Sequence, residues 1–174
     1  MSTTTADARS ALMGDVSADA LRYDPWHHLA EQFPWVRVEL GKLRPGRMGE
    51  WRNADVIVLA YYLAPNDARC TLAHELVHVE RGPSPKDPVL AAAEETIVDE
   101  IAARRLITLT DLAGVLGMSN PYQMHAALHA DLPTLQARLN TLSVLERTWL
   151  AEQTSITVAK LKTLQMKTGK LRAL

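Results

Sequence analysis

One cysteine, Cys70, stands alone in 174 residues, so an internal disulfide is excluded and a reducing compartment is the natural fit. Long hydrophobic runs are also missing: no stretch is apolar for the length a bilayer crossing needs. The first seven residues, Met1-Ser2-Thr3-Thr4-Thr5-Ala6-Asp7, lack the basic-then-apolar order of a secretion signal, and the expected location is the cytoplasm. Neither sign of charge dominates. Nineteen Lys and Arg against twenty Asp and Glu leave a net charge of −1, which gives no general drive toward nucleic acid or a membrane surface. There is no internal repeat, no glycine-rich phosphate loop and no Ser-His-Asp arrangement to support a reading in those classes. What the composition does provide is 47% hydrophobic residues, enough for one good core with a small appended module.

Within that frame the most informative feature is His74-Glu75-Leu76-Val77-His78, which has the HExxH form of a zinc peptidase motif. On a helix, residues four apart share a face, so two imidazoles can address one metal ion with a carboxylate beside them. Neutral imidazoles bind Zn²⁺ without cancelling its charge, and a third protein ligand leaves one position for water. A carboxylate next to the first histidine can take the water's proton and return one to the leaving amine, the role expected of Glu75. The surrounding sequence predicts a helix. Asn66 or Asp67 is expected to cap it, Gly82-Pro83 to end it, and Leu72, Leu76 and Val79 to form an apolar stripe opposite the histidines. Cys70 lies one turn before His74 and is expected to be a small buried helix residue.

The third ligand is sought downstream. After the turn at 81–88, residues 89–107 read as a second helix on which Glu95, Asp99, Ala102 and Leu106 share one face, while Glu94 and Glu100 point elsewhere and are expected to be solvated. Glu95 is the first choice as ligand, with Asp99 holding a ligand histidine through its other ring nitrogen. The reverse assignment, Asp99 on the metal and Glu95 behind it, stays open. So does a bland alternative in which both acids make surface ion pairs with Lys86, Arg104 or Arg105.

The stretch Arg69-Cys70-Thr71-Leu72-Ala73-His74-Glu75-Leu76-Val77-His78, with an acid-bearing helix ending Ala102-Ala103-Arg104-Arg105-Leu106-Ile107, resembles the ImmA/IrrE family of metallopeptidases. More narrowly, it is similar to the small versions carried by phages and prophages of actinobacteria, and the resemblance is strongest over residues 50–107. It implies a zinc-dependent, thermolysin-like core in the cytoplasm of a host cell, often cleaving a repressor or other regulatory protein. It also implies zinc ligands at His74 and His78 and the general base at Glu75. The third ligand transfers differently. The family commonly has Glu-Ala-Asn before a Phe-Ala-Ala run, whereas alignment of Ile101-Ala102-Ala103 to that run places Ile97 at the glutamate and Asp99 at the asparagine.

Around the motif, residues 1–20 are expected to be a flexible segment, 21–107 the metallopeptidase core, and 108–174 a helical subdomain with a basic tail from Lys160 onward. Residues 25–33 suggest a short helix, Trp35 to Leu40 a half-buried strand, 41–49 a turn, and Val56 to Leu63 a strand leading into the catalytic helix. The expected fold class is α+β, with a small antiparallel sheet packed on that helix. An edge strand beside the metal would bind a peptide by strand addition.

Residues 108–119 have the cadence of a helix-turn-helix opening, followed by helices over 121–129 and 133–142. The segment offers Arg138 as an isolated basic residue rather than the cluster that phosphate contacts demand, so direct DNA binding is not favoured. His125 and His129 repeat the four-residue spacing without an acid placed like Glu75, and two exposed helix histidines are expected there. Arg81 and Tyr61 are candidates for oxyanion stabilisation that nothing in the sequence places near the site.

The expectation is therefore a zinc metalloendopeptidase acting on a protein substrate, with His74, His78 and Glu95 as ligands. The alternatives are a non-hydrolytic, zinc-stabilised regulator that binds DNA or a partner through its C-terminal helices, and an interaction protein whose motif has decayed.

Overall fold

The computed structural model describes residues 22–154; the expectations for residues 1–20 and for the basic tail lie outside them. The fold is α+β, with a three-stranded mixed sheet and seven helices among the described residues. No described helix is long and apolar enough to cross a membrane. The chain divides into two compact units within one helix, the first running to Val98 and the second starting at Asp99.

In the first unit, helix α1 (Pro25–Gln32) starts where Asp24 accepts a hydrogen bond from the Trp26 backbone N–H at 2.9 Å and Pro25 occupies the first turn. Three strands follow: β1 (Arg37–Gly41), β2 (Gly49–Arg52) and β3 (Val56–Ala60). The uninterrupted apolar run Val-Ile-Val-Leu-Ala makes β3 the central strand, buried along its whole length. β2 pairs with it antiparallel, through a turn in which Asn53 and Ala54 take φ of 52° and 64°. β1 pairs with β3 in parallel.

The expected antiparallel sheet is thus corrected to a mixed one. The reason is β2: the chain leaves β1, crosses to the far side of β3 and returns, which sets β1 and β3 in the same direction. Gly-Glu-Trp-Arg carries one large apolar residue, Trp51, too few to establish a strand period, and Gly49 reads in the sequence as the end of a turn, so β2 is not among the sequence expectations.

Helix α2 (Pro65–Arg81) packs across β2, β3 and α1. Ala68, Leu72 and Leu76 enter a core with Trp26, Leu29, Val38, Ile57 and Leu59; each leucine contributes roughly 1.5–3 kcal/mol by leaving water. Neither Asn66 nor Asp67 is the cap. Ala64 stands at that position without a side-chain bond, and Pro65 sets the first turn instead, its fixed φ and missing N–H suited to the place. Gly82 ends the helix as expected, at φ 89°, its N–H bonded to the His78 carbonyl at 2.9 Å. Helix α3 (Pro88–Leu106) follows and carries the boundary between the units.

The second unit comprises the end of α3 with α4 (Leu109–Val115), α5 (Pro121–Ala127), α6 (Leu132–Asn140) and α7 (Val144–Thr154). Thr108 and Asp111 form a capping box on α4, and Asn120 and Asp131 cap α5 and α6. Helix α7 is not among the sequence expectations. Its start is a capping box as well: the Ser143 N–H donates to Glu146 at 2.7 Å, and the Glu146 N–H to Ser143 Oγ at 3.2 Å. Glu146 also accepts from Arg104 at 2.6 Å and from Arg138 at 2.9 Å.

Burial works to raise the Glu146 carboxyl, yet the bonds from Arg104, Ser143 and Arg138 outweigh it and hold the group at about 2. A carboxylate depressed from about 4.3 in the unfolded chain stabilises the fold fully above about pH 5, by on the order of 3 kcal/mol, and the effect fades as pH falls toward 2. In denaturant unfolding, the gap between the wild type and Glu146→Gln should shrink to about half its neutral value by pH 3. A gap independent of pH would contradict this assignment.

Candidate metal centre

Three ligand-bearing side chains converge in the first unit. His74 and His78, one turn apart on α2, bring their Nε2 atoms to 3.1 Å. From α3, Glu95 places Oε2 at 3.4 Å from His74 Nε2 and Oε1 at 3.4 Å from His78 Nε2. One donor atom from each residue lies within 4.8 Å of the others, the one such group among the described residues that could hold a metal ion.

Donor chemistry and spacing fit a metal. Bonds of about 2.0–2.1 Å at tetrahedral angles set donors about 3.3–3.4 Å apart; the two imidazole nitrogens stand near that separation, at 3.1 Å, and each faces a different oxygen of the Glu95 carboxylate at 3.4 Å. Protonation favours it too. Burial, then His74, pulls His78 below the usual imidazole range toward the neutral form that ligates. Hydrogen bonding to His74, opposed by burial, leaves Glu95 below the usual carboxylate range and so ionised. His78 is 10% exposed and Glu95 50%, so the group opens toward solvent on the side of α3.

Glu75 is buried, only 6% exposed, although it is a carboxylate. Burial is the largest influence on it and raises its carboxyl to about 7; Glu95 pushes the same way, while His74, a hydrogen bond from the Trp51 backbone N–H and Arg47 oppose. A group at that value can both accept and return a proton near neutrality.

Of the two acids, the structure brings Glu95 into the group and not Asp99, which lies one turn later on α3 and is partly buried. Surface pairing with Arg104 is not the fate of Glu95, since Arg104 engages Glu100 and Glu146. Glu94 and Glu100, expected from the sequence to be merely solvated, are instead paired. Glu94 accepts from Arg81, with Nη2 to Oε2 at 2.8 Å, and Glu100 accepts from Arg104 at 2.9 Å. Arg81 is therefore committed to Glu94. Tyr61 is 63% exposed, edge-on to Tyr62. Cys70 is buried.

His125 and His129 do not form a second site. The helix ends at Ala127, His125 Nδ1 sits 3.0 Å from the Ala130 carbonyl, and His129 takes φ 51° beyond the helix. Sequence reasoning missed the β2 residues that contact Glu75, because neither glycine nor a backbone N–H carries a catalytic signature. Compared with models of known protein families, with curated proteins and with solved structures, the chain matches none.

Proposed function

We propose that the chain is a zinc metalloendopeptidase of the ImmA/IrrE type, with a thermolysin-like core, acting in the cytoplasm on a protein substrate such as a phage or host repressor. The observation that carries this reading is the convergence of His74, His78 and Glu95 beside a buried carboxylate that is not itself a ligand. A site that merely stabilised the fold would need the three ligands and would gain nothing from burying Glu75, at a desolvation cost, next to them.

Zinc held by these residues would supply a Lewis acid and a water of lowered pKa. The chain's own groups do the rest. Glu75 accepts the proton of the attacking water and delivers it to the leaving amine. The Trp51 backbone N–H orients the Glu75 carboxylate, and Glu95, ionised, balances charge at the ligand set. β2 is an edge strand lying against α2, and an extended peptide could add along its open side next to the site through edge groups other than the Trp51 N–H, which Glu75 holds. In the helix-turn-helix-like segment, residues 108–142, the regulator alternative loses its one basic residue. Arg138 is 3% exposed and bonded to the Ile107 carbonyl and to Glu146, which leaves it unable to reach a phosphate.

The first test is elemental analysis of the full chain purified without a metal-binding tag. Wild type should carry about one zinc per chain; His78→Ala and Glu95→Ala should lose it, and Asp99→Ala should retain most of it. Loss in Asp99→Ala with retention in Glu95→Ala would exchange the two roles. Cleavage of a mixture of quenched fluorogenic peptides that stops on chelation and returns with zinc completes the test, and a metal-free wild type that cannot be reconstituted would sink the proposal.

A further inference from the structure

β2 meets α2 through a glycine. The described glycines with left-handed φ are Gly46 and Gly82, so Gly49 is not required by its backbone angle. Space requires it. A Cβ at Gly49 would lie 2.5 Å from Thr71 Cγ2, 2.7 Å from Glu75 Oε1 and 3.0 Å from Glu75 Cγ. Contacts that short do not persist, and something must move.

Two groups can give way. Thr71 is β-branched, on a helix and buried, so its methyl has restricted freedom. The Glu75 carboxylate sits at the end of three rotatable bonds and is the cheaper group to displace. On β2, Gly49 and Trp51 share the face turned to α2, while Glu50 and Arg52 pair with each other on the opposite face. Gly49 thus leaves the room that the Glu75 carboxylate occupies, and the N–H of Trp51, two residues on, holds the carboxylate there.

We propose that Gly49 is a positioning residue for Glu75: its bare α-carbon sets where the carboxylate lies, and any side chain at this position turns the base away from the metal centre. The catalytic sense of this inference rests on the peptidase reading, whereas the contact itself does not.

The test therefore has two arms. In thermal melts of the metal-free full chain, Gly49→Ala should lower Tm by several degrees, although Gly→Ala at a permissive backbone position ordinarily raises stability. That loss should shrink by about half or more when Glu75→Ala is already present, as expected for groups in contact. In the metal-loaded protein, Gly49→Ala should keep its zinc and its KM while kcat falls by about 10²-fold, the effect of a misplaced catalytic group. Adding Thr71→Ser removes the methyl contact and should recover part of the Tm but not kcat, a separation that a purely structural role would not give.

The same loss of Tm with and without Glu75, or recovery of kcat together with Tm in Gly49→Ala/Thr71→Ser, overturns the inference. Coupling in the melts with no hydrolysis by wild type overturns the peptidase reading alone.

Discussion

Glu75→Gln should reduce peptide hydrolysis by about 10²–10⁴-fold while leaving the metal content of the protein unchanged. The amide matches the carboxylate in size, so it fills the same buried space and can still accept the Trp51 N–H. It cannot take a proton from water. Because Glu75 is outside the group formed by His74, His78 and Glu95, the substitution leaves all three donors in place. Replacing a buried carboxylate by a neutral isostere also removes a desolvation cost, so Tm should hold or rise. Loss of activity therefore cannot be assigned to unfolding. Two measurements on one preparation, zinc by elemental analysis and cleavage of fluorogenic peptides, check the prediction. Unchanged cleavage would remove Glu75 as the base, and loss of zinc along with activity would show that the residue belongs to the ligand set after all.

The parts of this site that the sequence made legible are those fixed by local geometry. His74 and His78 face one way because a helix puts residues four apart on one side, and the apolar spacing of Leu72 and Leu76 says that a helix is there and which side is buried. The choice between Glu95 and Asp99 was not legible in the same way. They share a helix face one turn apart, and only the height at which α3 lies beside α2 selects Glu95. That height is a tertiary property with no local signal.

β2 was invisible for another reason. Gly49 and Trp51 act through an absent side chain and a backbone N–H, and Glu50 and Arg52 satisfy each other on the far face, so nothing in the pattern marks a strand. The parallel pairing of β1 with β3 is illegible for the same reason, since only the intervening β2 sets the two in the same direction.

Arg138 shows the opposite failure, a residue whose type was legible and whose role was not, and it carries the second large prediction. An isolated arginine in a helical segment reads as a solvated or recognition residue, but here it is 3% exposed, donating to the Ile107 carbonyl at 2.9 Å and to Glu146 at 2.9 Å. Burial pulls its guanidinium below the usual range, the Glu146 bond opposes this, and one nitrogen, Nη1, is buried without a partner. The charge is tolerated because Glu146 is held ionised by Arg104 and the Ser143 N–H as well.

Arg138→Met keeps much of the apolar stem but leaves the Ile107 carbonyl and one side of Glu146 unanswered, and breaking a buried pair from one side costs about 3–5 kcal/mol. Since Arg104 remains on Glu146, the lower end, about 3 kcal/mol in urea unfolding, is expected. Arg138→Met/Glu146→Gln should lose less than the sum of the two single changes, because each removes the group the other leaves stranded. A loss below about 1 kcal/mol for Arg138→Met would be the value of an exposed arginine. It would return Arg138 to the surface, where a phosphate or an acidic partner could reach it.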